Sequence, residues 1–207
     1  MSDLKSYLDN KNYDEAIKFL NSNNTFEKPI KFYNLGYVYT LKGDFVQARF
    51  YLEKAKAEGL INEKVENSLK LVKSKLGVEQ VESDYPVIDK SILSISHYKE
   101  DVFLTVLGLV LMIFLYGIFR KKRIIATISV IVFLSLGSFL YVIKDFKTVI
   151  VKEEVFVHQG PSRIFEPNQM IMPGAKVVID GEARDWKYVK YPEVYRGWIY
   201  KSKVKKL

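Results

Sequence analysis

Residues 102–119 and 124–143 are two apolar runs, 18 and 20 residues long, and neither contains a charge. Between them stand Arg120, Lys121, Lys122 and Arg123, the only charges from residue 102 to residue 143. At 1.5 Å per residue, each run would make a helix of roughly 27–30 Å, the thickness of a bilayer hydrocarbon core. Two helices apolar on every side need a large surrounding core if water is their solvent. The sequence therefore predicts a two-helix transmembrane hairpin with a basic loop at 120–123. Basic loops are retained on the cytoplasmic side, so these four residues act as a topology signal that places both flanking segments on the opposite side. No acidic or basic side chain falls inside either run, which argues against an ion or proton pathway. Gly108, Gly117, Ser135, Gly137 and Ser138 are small enough to let helices approach, either within the hairpin or against another membrane protein.

The charge distribution follows the same division. Residues 1–100 are net neutral, 101–143 carry net +3 and 144–207 net +5, within an overall +8. There is no cysteine, which excludes disulfides, thiolate metal sites and a cysteine nucleophile. His97 and His158 are the two histidines, far apart in sequence, and make a poor metal site or catalytic base. No phosphate-binding glycine-rich loop is present, and no carboxylate pair sits in an evident pocket motif. The sequence thus gives no sign of an enzyme, and no cofactor or metal is implied.

Residues 1–76 read as helix pairs. "DNKNYDEAIKFL" and "LKGDFVQARFYL" align when Ala16 is set on Ala48, with Tyr13 matching Phe45 and Leu20 matching Leu52. In the second copy, Gly36 and Ala48 are small where two antiparallel helices would cross. Gly43 supplies the turn, and Asp44 can cap the next helix. Leu35, Tyr39, Phe45, Leu52 and Ala55 then fill the seam. This spacing resembles the tetratricopeptide (TPR) repeat. The resemblance implies an all-α repeat domain, closed by the polar helix at 62–76, with a concave peptide-binding face lined by Ile30, Tyr33, Asn34, Tyr37 and Leu41. The segment 77–101, which includes Pro86, is expected to be a linker.

After residue 143 the period changes. "TVIVKEEVFVH", "AKVVID", "WKYVKY" and "GWIY" are short β-rich runs separated by turn residues. Gly160, Pro161 and Ser162, then Pro173 and Gly174, then Gly197 and Trp198 resemble the turn markers of a bacterial SH3-type barrel. The resemblance implies a small all-β barrel over 144–207. Tyr188, Tyr191 and Tyr195 are its candidate surface, while Trp186 and Trp198 belong in its core. The basic tail "YKSKVKKL" has no base-stacking motif beside it, so no nucleic-acid partner is expected.

The order of repeat, apolar pair and β module resembles the BatE family of bacterial aerotolerance-operon membrane proteins. That resemblance implies a multidomain protein of the bacterial inner membrane, in contact with the lipid bilayer. It also implies neighbours with von Willebrand A domains and a MoxR-type ATPase. Two functions are then open. One is a membrane-anchored scaffold holding membrane and envelope proteins through the repeats. The other is an envelope sensor or tether that binds cell-wall material or peptide through the β module.

Overall fold

A computed structural model of the chain describes residues 2–119, 123–143 and 145–207. Eight α-helices precede seven strands. They are α1 (Ser2–Asp9), α2 (Tyr13–Ser22), α3 (Lys28–Lys42), α4 (Phe45–Ala57), α5 (Glu63–Leu76), α6 (Val78–Ser83), α7 (Val87–Phe119) and α8 (Arg123–Ile143). The strands are β1 (Lys147–Val151), β2 (Val155–His158), β3 (Pro167–Ile171), β4 (Lys176–Ala183), β5 (Trp186–Tyr191), β6 (Gly197–Tyr200) and β7 (Val204–Lys206).

The helix boundaries follow from local chemistry. Pro29 sits in the first turn of α3, where its missing N–H costs nothing. Gly43 closes that helix in the left-handed conformation. Asp44 caps α4 by accepting from the Gln47 N–H at 3.0 Å, and Asn62 caps α5 by accepting from the Val65 N–H at 3.0 Å. Helices α3 and α4 cross at Gly36, where an added Cβ would lie 2.7 Å from Leu52 Cγ and 3.2 Å from the Ala48 carbonyl oxygen. Ala16, Leu20 and Leu35 are buried in one small core. Ala48 and Leu52 are buried in the next, with Val65, Leu69 and Val72 of α5. Phe45 and Tyr39 pack against that second core from its rim. Ala55 is also fully buried.

All strands pair antiparallel, in the order β3-β2-β6-β5-β4-β1-β7. The sheet is open, and this corrects the expected SH3-like barrel. Among the described residues β3 and β7 are its two edges and do not pair. The physical reason lies outside the strands. The segment expected to be a linker is helical in α6 and the start of α7. It sends Val78, Tyr85 and Leu93 into the core with Val149, Val157, Val177, Val189 and Ile199. A helical lid buries the sheet's apolar face, so the strands need not close on themselves to do so. The β7 edge is covered as well. Lys205 donates to Gln47 Oε1 at 2.7 Å, and its ammonium lies 3.9 Å from the centroid of the Phe50 ring, both on α4.

The expected transmembrane hairpin is also corrected. Among the described residues no helix is long and apolar enough to cross a membrane. The two-pass inner-membrane placement falls with it. Helix α7 begins as an amphipathic element docked on the sheet through Asp89 and Leu93. Helices α7 and α8 pack together, with Val110 and Ser129 buried, while Leu109, Met112, Ile131 and Leu134 are exposed. An added Cβ at Gly108 or Gly137 would meet no atom within 4 Å, so neither glycine marks a close helix crossing. Arg120, Lys121 and Lys122 lie outside the described residues, as do the side chains of Arg123 and His97.

The crossing at Gly36 is tight enough to test. Gly36→Val should destabilise the full chain by about 1–3 kcal/mol, the usual cost of overpacking. Urea unfolding followed by circular dichroism measures it. An unchanged midpoint and slope would remove Gly36 from the crossing.

Candidate functional site

Two surfaces of the folded chain carry chemistry beyond packing. The first is a charged cleft between α4, α5, the α6–α7 segment and the start of β4, with a cavity of about 420 Å³. Its floor is built on Arg49, whose side chain is 0% exposed. One terminal nitrogen donates to the Gly174 carbonyl at 2.6 Å. The other donates to both oxygens of Glu82, at 2.6 and 2.9 Å, the forked geometry that guanidinium favours. Glu53, four residues on in α4, lies 3.7 Å from Arg49 and accepts from Lys176 at 2.9 Å. Lys73 approaches Glu82 at 3.3 Å, and Lys56 pairs with Glu66 at 2.5 Å.

Gly174 makes the contact across the cleft feasible. Its φ is +82°, and an added Cβ would lie 2.5 Å from Leu76 Cδ1. Only glycine can hold that turn so close to the end of α5 with its carbonyl aimed at Arg49. The neighbouring Tyr85 and Tyr195 rings meet edge-on at 6.2 Å. Asp89 is buried, and its Oδ2 accepts from the Glu193 N–H at 2.9 Å, pinning α7 to the turn before β6.

The electrostatics follow from burial against charge. Burial alone would raise the Glu53 carboxyl. Lys176, Arg49 and Lys73 outweigh it and hold the group well below the usual carboxylate range. Burial pushes the Tyr85 phenol above its ordinary value, with Tyr195 and Glu82 adding to the effect. Arg49 Nε and the Tyr85 hydroxyl are both buried without a hydrogen-bond partner. Among the described residues no group of three or more His, Asp or Glu side chains is arranged to hold a metal ion.

The second surface is the outer face of α3. Ile30, Tyr37 and Leu41 are 40%, 45% and 42% exposed, and their spacing puts them on one stripe of the helix. Asn34 lies half-buried within that stripe. Tyr33, one turn before Tyr37, is half-buried and packs against the core shared with α5. The residues singled out on the β module do not converge on one surface. Tyr188 packs on Trp198 at 5.3 Å, Tyr191 on Phe146 at 5.8 Å, and Tyr195 is buried against Tyr85. Trp186 is buried beside His158, whereas Trp198 is half-buried. His158 makes a 2.7 Å contact through Nδ1 with the Phe165 carbonyl.

The cleft was not anticipated from sequence. Arg49 and Glu53 are four apart in a helix, which reads as an ordinary exposed ion pair. The available signal was their register. Both fall beside Ala48 and Leu52, on a helix with few positions left to face water.

Arg49→Met should cost on the order of 3–5 kcal/mol in urea unfolding, because it strands buried carboxylates. Adding Glu82→Gln should recover part of that loss, and strictly additive effects would deny the coupling. The pH dependence has a fixed sign. Glu53 is depressed in the folded state, so its contribution is complete above the ordinary glutamate value of 4.5 and is lost as pH falls below it. Glu53→Gln should therefore flatten the acid limb of the stability profile. An acid limb as steep as the parent's would contradict this.

No family model, curated protein or solved structure matches this chain, so a functional reading rests on its own residues and their placement.

Proposed function

We propose that this chain is a non-enzymatic scaffold that holds a protein partner on the outer face of α3. The observation that carries this reading is the stripe of Ile30, Tyr37 and Leu41. Single exposed apolar residues are ordinary. Three in helical register, with Asn34 between Ile30 and Tyr37, on a helix whose opposite side is committed to the core, form an apolar stripe interrupted by one polar group. Its chemistry suits an amphipathic helix of the partner, which would lay its own apolar face along α3. Tyr37 is the natural anchor, because it offers large contact area and a hydroxyl at little entropic cost. The resemblance to aerotolerance-operon proteins, which rests on the order of the repeat, apolar pair and β module together with the patterns of the first and last, adds von Willebrand A-domain proteins and a MoxR-type ATPase as the partners to try first.

Tyr33 is unsuited to a binding test, since it packs in the core with α5. The double change Tyr37→Ala and Leu41→Ala is the better probe. It should weaken partner binding by about 2 kcal/mol or more, roughly thirtyfold in Kd, while the thermal melt stays within a few degrees of the parent's. The control is Ile164→Ala with Phe165→Ala, an exposed apolar pair in the β2–β3 loop. If that pair strips the partner and the α3 pair is silent, the contact belongs to the β module and the α3 reading fails.

A further inference from the structure

We propose that the charged cleft between the helical repeat and the sheet binds a phosphate-bearing small molecule, independently of the α3 face. A cavity of about 420 Å³ falls in the range of roughly 300–1,000 Å³ common for small-ligand sites. Its lining holds six cationic side chains against four carboxylates, a surplus of two positive charges. On the floor, Arg49, Lys73 and Lys176 face two carboxylates, Glu53 and Glu82. Lys56 and Glu66 neutralise each other. At the mouth, Lys70 and Lys90 accompany only Glu79. A dianion matches this balance.

The hydrogen-bond inventory points the same way. Among the described residues, the Arg49 Nε–H is a buried donor without an acceptor, and the Tyr85 hydroxyl, buried beside it, has only the Tyr195 phenol near it; both residues line the cleft. The nearest carboxylates are already engaged, Glu82 by the Arg49 fork and Glu53 by Lys176. An oxyanion brings several acceptors and no donor, and guanidinium with ammonium is the usual pairing for phosphate. Both orphan atoms are covered by their neighbours. An incoming anion therefore meets Lys70, Lys73 and Lys90 first and reaches the covered donors only as it settles. Lys90 is held at the rim, donating to the Ser83 carbonyl at 2.6 Å.

The test uses the full chain and isothermal titration calorimetry at low ionic strength, with inorganic phosphate, pyrophosphate and citrate as separate probes. Pyrophosphate should bind saturably at one site per chain and raise the melting temperature. Citrate should bind at least tenfold more weakly. Lys70→Ala with Lys90→Ala should weaken pyrophosphate binding roughly tenfold or more, a loss of about 1.4 kcal/mol. Neither lysine takes part in the ion pairs of the floor, so this variant should melt like the parent. Absence of saturable pyrophosphate binding would overturn the proposal, as would equal affinity for citrate or binding indifferent to the two lysines. Because Tyr37 and Leu41 lie outside the cleft, their replacement should leave pyrophosphate binding unchanged, so this site and the α3 face can fail separately.

Discussion

A guanidinium with no exposure to water has to be met by acceptors, and the whole molecule is arranged around meeting this one. Arg49 is carried by the repeat, its carboxylate partner Glu82 by the helix that follows, and its carbonyl partner Gly174 by a turn 125 residues away in sequence. An isolated buried charge would cost several kcal/mol. The network therefore contributes most as a specification of register. A shift of the sheet against α4 by one residue would break the Arg49–Gly174 and Glu53–Lys176 contacts together. Packing alone tolerates small slides; a forked ion pair on a fixed carbonyl does not.

The same requirement explains why the β module is an open sheet. Glu82 can reach Arg49 only if the chain after the repeat folds back across the sheet. In doing so it delivers Val78, Tyr85 and Leu93 to the strands. Once that face is covered, barrel closure has no apolar surface left to bury. One edge, β7, is then held by α4 through Lys205 and Gln47. The other, β3, keeps most of its side chains exposed.

Parts of this were legible in the sequence because they depend on local chemistry. Gly43 followed by Asp44 marks a helix end and a helix start whatever surrounds them. The small residues Gly36 and Ala48 mark a crossing because helices cannot approach there otherwise. The strands after residue 146 announce themselves as short β-rich runs between turn residues. What was illegible depends on contacts distant in sequence. Polar residues mixed with apolar ones between residues 77 and 101 read as a tether, since Val78, Tyr85 and Leu93 become a face only when a sheet lies beneath them. Nothing local marks Arg49 as buried, because its partners lie 33 and 125 positions away. The apolar run in α7 misled for a related reason. Composition reports how apolar a segment is, but not that its helix begins 15 residues earlier, anchored to a sheet by Asp89.

The division of labour between the two faces of the repeat follows from this anchoring. A stack of about two helix pairs is short of the three or so repeats that usually stand alone. Here the sheet supplies the missing layer. Helix α4 spends its outer side on it, through Gln47, Arg49, Phe50 and Glu53. Helix α5 shares Leu76 between the repeat core and the sheet core. The side of the stack that would otherwise be most in need of a neighbour is thus already occupied within the chain. The side left over is α3, where Ile30, Tyr37 and Leu41 remain in water although the fold has no further use for them. An apolar strip that is not required for stability, on a helix held rigid from behind, is preorganised for association, because little conformational entropy remains to be lost when a partner arrives.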